Sequence, residues 1–274
     1  MQQTARAWRA EGQRVGLVPT MGCFHDGHLS LMKRARAECE RLVVSLFVNP
    51  AQFGSQEDLA GYPRRFERDC ADAEREGADV LFAPEATAMY PPGFQTVVEV
   101  TAASHGLCGA MRLAHFRGVA TVVAKLFNLC QPQRAYFGAK DYQQTVVLEQ
   151  MTRDLNYDLE LVRCPTVREP DGLAMSSRNA YLAPEERAAA TVLHRALAQA
   201  QQLVAQGATA ADWLRGQLQL AVSSEPLAQL EYVEVVDART LAPVKEVGGP
   251  TLLAVAARFG RARLIDNVLI NDEV

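Results

Sequence analysis

The chain alternates between short apolar, β-branched runs and longer stretches in which apolar positions recur every three or four residues. Residues 14–20 (RVGLVPT), 42–48 (LVVSLFV), 78–84 (ADVLFAP), 134–140 (RAYFGAK) and 159–167 (LELVRCPTV) predict strands. The unbroken run at 42–48 is what a parallel strand covered on both faces requires. Residues 27–40, with Leu29, Met32 and Ala35 spaced for one face, and residues 64–76, 115–131 and 141–155 predict helices. This alternation predicts an α/β fold, a Rossmann-like doubly wound parallel sheet. Ligands of such sheets bind beyond the carboxyl ends of the strands. The polar clusters after Thr20, Val48 and Phe137 are therefore expected to converge. After about Asn179 the pattern changes: PEERAAATVLHRALAQAQQLVAQG predicts one long Ala-rich helix and ATAADWLRGQLQLAVSS another, and 232–238, 251–259 and 263–270 predict strands. Helices followed by strands predict a smaller C-terminal α+β domain. The expected division is 1–175 and 176–274, closely packed, with no low-complexity linker and no internal repeat.

Composition narrows the class. With 274 residues, 49% of them hydrophobic, the chain can build a sizeable core. The net charge of −4 argues against a nucleic-acid-binding surface, which is usually basic. The six cysteines, Cys23, Cys39, Cys70, Cys108, Cys130 and Cys164, form no Cys-x-x-Cys pair, so a zinc ribbon or redox motif has no support. Scattered cysteines fit a reducing compartment. No segment reads as a signal peptide, and no apolar run reaches membrane-spanning length. A soluble cytoplasmic protein that binds no membrane is expected.

Four constellations carry chemistry. The first is Met21-Gly22-Cys23-Phe24-His25-Asp26-Gly27-His28, where a strand turns into a helix. A helix N-terminus attracts phosphate through free N–H groups and its dipole, and two imidazoles can stabilise charge on a phosphoryl group. The alternatives are a metal pair, for which Cys23 could supply a third ligand, or two surface histidines. The second is Phe137-Gly138-Ala139-Lys140-Asp141: Lys140 can reach phosphate oxygens, and Asp141 can cap a helix or help hold Mg²⁺. A plain helix cap with a solvated lysine is the alternative. The third is Gly172-Leu173-Ala174-Met175-Ser176-Ser177-Arg178-Asn179, whose hydroxyls and guanidinium can clamp a triphosphate, or which is only a polar interdomain loop. The fourth is Asn49-Pro50-Ala51-Gln52-Phe53. Gln52, with Gln144 one turn past Asp141, offers neutral groups suited to a hydroxy acid, or merely satisfies backbone groups. Neither a G-x-x-x-x-G-K-[ST] loop nor a G-x-G-x-x-G loop is present, so this is neither a P-loop ATPase nor a standard dehydrogenase.

These constellations, together with EDLAGYPR, MYPPGF, HFRGVATVVAKLFN, VREPDGLAMSSRNAYL and RLIDN, run essentially end to end, and the chain strongly resembles the pantoate–β-alanine ligase family. That family belongs to the His-x-Gly-His nucleotidyltransferases, relatives of class I aminoacyl-tRNA synthetases. The resemblance implies that ATP and (R)-pantoate give pantoyl adenylate and pyrophosphate, and that β-alanine then gives pantothenate and AMP. It implies a homodimer using Mg²⁺. By motif, Met21, Gly22, Cys23, Phe24, His25, Asp26, Gly27, His28, Gly138, Ala139, Lys140, Asp141, Val167, Met175, Ser176, Ser177 and Arg178 would contact ATP. His28, His25, Lys140 and Arg178 would be catalytic, His28 as proton donor. Gln52 would contact pantoate and β-alanine, and Gln144 pantoate. The chain departs from the usual pattern at Cys23 and Phe24 (more often Ala-Leu), at Ala139 (usually acidic or Gln) and at residues 112–115 (commonly Arg-Pro-Gly-His). A plain nucleotidyltransferase acting on a phosphorylated acceptor would want more Arg and Lys than Gln52 and Gln144 supply. A non-catalytic RNA-binding relative conflicts with the acidic balance.

Overall fold

The computed structural model describes residues 1–54, 59, 61–112 and 114–271. The chain forms two compact units, one of residues 1–105, 109–139 and 144–165, the other of residues 106–108, 140–143 and 166–274. In chain order the elements are α1 (Gln2–Ala10), β1 (Val15–Thr20), α2 (Asp26–Glu38), β2 (Arg41–Leu46), α3 (Phe66–Arg75), β3 (Val80–Phe82), α4 (Ala86–Met89), α5 (Cys108–Met111), α6 (His115–Cys130), β4 (Arg134–Gly138), α7 (Tyr142–Asp154) and β5 (Glu160–Cys164). They continue with α8 (Pro184–Ala189), α9 (Val192–Ala205), α10 (Ala211–Ser223), β6 (Gln229–Asp237), β7 (Thr251–Phe259) and β8 (Ala262–Ile270).

The first unit is the expected doubly wound sheet, five parallel strands in the order β3-β2-β1-β4-β5. Strand alternation sends Val18, Leu42, Val44, Tyr136, Val162 and Cys164 to one face, where Leu31, Met32 and Ala35 of α2 cover them. Val15, Leu17, Val43, Ala135 and Phe137 alternate with them and are buried as well, and α1 and α6 pack against β1. Strand order grows outward from β1 in one direction through β2 and β3, and in the other through β4 and β5. The turning point therefore lies between β1 and β4, where open α/β sheets leave a crevice at the strand ends. The turns after Thr20 and Gly138 emerge on either side of it.

The second unit is an antiparallel sheet, β6-β7-β8, with α9 against β7 and β8 and α10 against β6. Its core joins Leu193, Leu197, Leu214 and Leu218 to Val235, Leu253, Val255 and Phe259. Leu173 is part of that core, which draws residues 166–175 into this unit; the expected division at 175/176 falls inside it.

Two expectations change. The predicted long helix over residues 184–207 is two helices, α8 and α9. At the break, the Thr191 hydroxyl donates back to the Ala188 carbonyl at 2.7 Å, a local bond that competes with helix propagation. The N-terminal helix α1 has no counterpart among the predicted elements; of its residues only Ala5 is buried. No helix among the described residues is long and apolar enough to cross a membrane.

Candidate active site

β1 ends at Thr20, whose hydroxyl donates to the Ser45 carbonyl at 2.7 Å and accepts from the Gly22 N–H at 3.2 Å. The chain then turns through Gly22 (φ 84°) and Cys23 (φ 54°). A Cβ on Gly22 would lie 2.9 Å from Asp69 Oδ2 and 3.3 Å from Leu46, so the backbone angle and the close approach both require glycine. Asp69 of α3, 2% exposed, receives the N–H groups of Cys23 and Phe24 at 2.8 and 2.9 Å, one on each carboxylate oxygen. The side chains of Cys23 and Phe24 are themselves buried, and Phe24 joins the core beneath α2. The family departures at 23 and 24 are thus changes of core packing.

His25 caps α2. Its Nδ1 accepts from the Gly27 N–H at 3.2 Å, and His28 Nδ1 accepts from the His25 N–H at 3.4 Å, a capping box made of two imidazoles. A ring nitrogen that accepts leaves the proton on the other, so both rings are held as the neutral tautomer with Nε2–H as donor. The rings lie 4.1 Å apart, and Phe24 stands 5.7 Å from His28. The sequence leads to the expectation of open amides here for phosphate. Instead the N–H groups of Gly22, Cys23, Phe24, His25 and Gly27 are taken by Thr20, Asp69, His28 and His25. An anion at this helix end would meet imidazole donors and the helix dipole. Met21, Gly27 and both histidines are half-buried, and Asp26 is exposed. Among the described residues no group of three His, Cys, Asp or Glu side chains assembles around a metal site.

After β2, Asn49 caps the single 3-10 turn Pro50–Gln52. Asn49 Oδ1 accepts from the Ala51 N–H at 3.3 Å and from the Tyr90 hydroxyl at 2.8 Å; its Nδ2 donates to the Gly118 carbonyl at 3.1 Å and to Gln52 Oε1 at 3.0 Å. The polarity is forced, because a backbone N–H can only donate and a carbonyl can only accept. Gln52 Oε1 is therefore turned to Asn49, and Nε2 faces the other way, 3.0 Å from Met21 Sδ. This contact brings the first and fourth constellations together. Burial raises the Tyr90 hydroxyl pKa to about 12, against the opposing pull of Asn49, so it remains a proton donor at neutral pH. α6 closes on this turn at Gly118, where a Cβ would stand 2.2 Å from the Ala51 carbonyl oxygen. Gln144 lies half-buried on the first turn of α7, and Gly138 and Ala139 leave β4 beside β1.

In the second unit Lys140 and Asp141 belong to the short turn Ala139–Asp141, with Lys140 Nζ 3.7 Å from Asp141 Oδ2, and the Lys140 carbonyl accepts from Asn267 Nδ2 at 2.8 Å. The Met175 N–H donates to the Val167 carbonyl at 3.0 Å, and Ser176 caps the turn Ser177–Tyr181 by accepting from the Arg178 N–H at 3.2 Å. Behind this segment Asn179 Nδ2 donates to Glu169 at 2.8 Å, and Arg187 pairs with Glu169 and Asp171 at 2.7 and 2.6 Å. The Arg187 hydrogen bond, with its charge, holds the Asp171 carboxyl below the ordinary value despite some burial.

Asp69, Asn49 and Tyr90 received no role from the sequence. Asp69 sits among charges that read as a solvated helix face, and Asn49 before proline reads as a turn. Residues 57, 58 and 60 of EDLAGYPR and residue 113 lie outside the described residues.

The chain matches known proteins over nearly its whole length. The family model for pantoate-beta-alanine ligase matches residues 1–269. The chain is 53% identical over 266 residues to a pantothenate synthetase of Heliobacterium modesticaldum, covering 97% of this chain and 95% of that protein. It is 54% identical over 267 residues to one of Chloroflexus aggregans, covering 97% and 96%. The crystal structure of pantothenate synthetase from Thermus thermophilus superposes with a TM-score of 0.91 at 48% identity, covering 96% of each chain. That of pantoate-beta-alanine ligase from Francisella tularensis, complexed with beta-gamma ATP and beta-alanine, gives 0.79 at 32% identity, covering 97% of this chain and 94% of that one. A match of this extent has one meaning: the chain belongs to the pantoate–β-alanine ligase family.

Proposed function

We propose that this protein condenses (R)-pantoate with β-alanine at the expense of ATP, through pantoyl adenylate. A pantoate carboxylate oxygen attacks the α-phosphorus, and the bond to pyrophosphate breaks. The β-alanine amine then attacks the acyl carbon, AMP leaves, and the amine gives up a proton. The observation that carries this reading is the imidazole capping box at the start of α2, beside the turning point of the sheet. With Nδ1 occupied, His25 and His28 offer Nε2–H to phosphate oxygens as charge develops, and His28 serves the departing pyrophosphate as a hydrogen-bond donor, because a neutral imidazole keeps that proton.

Met21, Gly22, Cys23, Phe24, Asp26, Gly27, Gly138, Ala139 and Val167 shape the nucleotide's surroundings in this reading. Lys140, Asp141, Met175, Ser176, Ser177 and Arg178 serve the triphosphate, with Lys140 and Arg178 meeting its charge. Phosphoryl chemistry asks little covalent work of a protein, and orientation alone can supply roughly 7–11 kcal/mol. Gln52 binds pantoate as a donor through Nε2, the polarity its bond to Asn49 imposes, and Gln144 assists. A neutral donor suits a hydroxy acid better than a phosphorylated acceptor. Mg²⁺ fits the donor set as an ion held mainly by phosphate oxygens and water, with Asp141 the carboxylate among the residues given to the triphosphate; when bound it would neutralise phosphate charge. A homodimer, on the family resemblance, in the cytoplasm, on the scattered cysteines, completes the proposal.

Omission of each component in turn tests it. AMP and pantothenate are expected only when ATP, Mg²⁺, pantoate and β-alanine are all present. AMP formation that ignores pantoate would sink the ligase reading and favour a plain nucleotidyltransferase.

A further inference from the structure

RLIDN carries no assigned chemistry, yet its last two residues reach both nucleotide-handling segments of the second unit. Asp266 is 2% exposed, and its carboxylate receives two N–H groups of Arg168 at 2.7 and 3.0 Å and the Asn267 N–H at 2.8 Å. A carboxylate buried this deeply is tolerated only when paired and hydrogen-bonded in this way. The same Arg168 donates to the Gly172 carbonyl at 3.0 Å, closing the hairpin in which Arg168 pairs with Ala174 and the Glu169 N–H meets the Leu173 carbonyl at 2.8 Å. That hairpin runs directly into Met175 and Ser176. Asn267, 9% exposed, donates from Nδ2 to the Lys140 carbonyl at 2.8 Å. Because side chains alternate along a strand, neighbouring positions on β8 serve two different segments.

We propose that Asp266 and Asn267 are positioning residues for ATP, Asp266 holding the root of the Met-Ser-Ser-Arg segment through Arg168 and Asn267 holding the main chain of Lys140. This rests on assigning Lys140 and residues 176–178 to the triphosphate. Asn267 holds main chain directly, and Asp266 does so through the Arg168 bond to the Gly172 carbonyl, so the loss of either loosens the direction of a charged side chain without removing the charge.

Calorimetric titration of the whole protein with ATP and Mg²⁺, alongside KM values for ATP and pantoate, tests the assignment. Asn267→Ala and Asp266→Asn are each expected to weaken ATP binding about tenfold, with KM for pantoate within about twofold of wild type. Arg168→Lys, which keeps the charge but not the fork, is expected to match Asp266→Asn. Asn267→Asp, which cannot donate to the Lys140 carbonyl, is expected not to rescue. Circular dichroism checks folding; if Asp266→Asn fails to fold, Asn267→Ala and Arg168→Lys decide. Unchanged ATP affinity in folded variants, or equal losses for ATP and pantoate, overturns the proposal. A wild type that binds ATP but makes no pantothenate overturns the ligase reading and leaves this titration to decide. A wild type that binds no ATP overturns both.

Discussion

Gly118 occupies the interior of α6, where glycine ordinarily costs up to about 1 kcal/mol relative to alanine. Its neighbour across the fold is the reason: the Ala51 carbonyl leaves no room for a Cβ. Gly118→Ala is therefore expected to lower the melting temperature, the reverse of what alanine does in an exposed helix. It should also raise KM for pantoate, because the displaced turn carries Gln52. Thermal melts and steady-state kinetics check both. Gln52→Ala is expected to weaken pantoate binding about tenfold or more and ATP binding little, the loss of a hydrogen bond to a charged group being about 1.5–3 kcal/mol. Calorimetry that finds the reverse would move Gln52 to the nucleotide. The sequence offered Gln52 as donor or acceptor alike. Only Asn49, fixed by an N–H on one side and a carbonyl on the other, decides between them.

Helix α3 illustrates the element scale. Its sequence FERDCADAER reads as a charged helix on a solvated face, yet Asp69 turns inward and closes the β1–α2 turn with both carboxylate oxygens. Asp69→Asn replaces one acceptor by an NH₂ group, setting donor against donor at a buried amide. The expected outcome is a loss of about 1–3 kcal/mol in denaturant unfolding and a fall in kcat larger than the rise in KM for pantoate, since the turn orients His25 and His28. A variant with wild-type kcat would show that the turn holds without the carboxylate. By contrast, most other elements were legible within a few residues of their ends. β7 spans the predicted 251–259, and α6 ends one residue before the predicted 131, at the left-handed Gln131. Periodicity is a property of local backbone geometry and survives in the sequence.

For the whole molecule, the charges that tune folding lie mostly in paired carboxylates and buried neutral hydroxyl and thiol groups. Burial raises the Asp79 pKa, but the Leu42 N–H and the Arg41 and Arg36 guanidinium groups more than offset it, so Asp79 titrates below its ordinary 3.8. Glu38 behaves alike relative to 4.5. These groups stabilise the fold above their ordinary values, and the contribution is lost as pH falls through the folded ones. Burial pushes Tyr90 from 10.0 and Cys130 from 9.0 up to about 12, so their contribution is complete below the ordinary values and is lost as pH rises toward 12. Melting temperature is thus expected to be flat between about pH 5 and 9 and to fall on both sides. Asp79→Asn should lie below wild type on the plateau and converge with it in acid; a constant gap down to about pH 2 would show that Asp79 does not contribute by its charge. The sequence by itself determined the two classes of architecture, the placement of strands and helices, the family and the strand-end turns to which its chemistry is assigned in our proposal, because apolar period and motif spacing are local. Only the tertiary structure decided the sheet order with β1 beside β4, the polarity of Gln52, the burial of Asp69, and the reach of Asp266 and Asn267 to segments 98 and 127 residues away. Such partners are chosen by packing, which leaves no period in the chain to read.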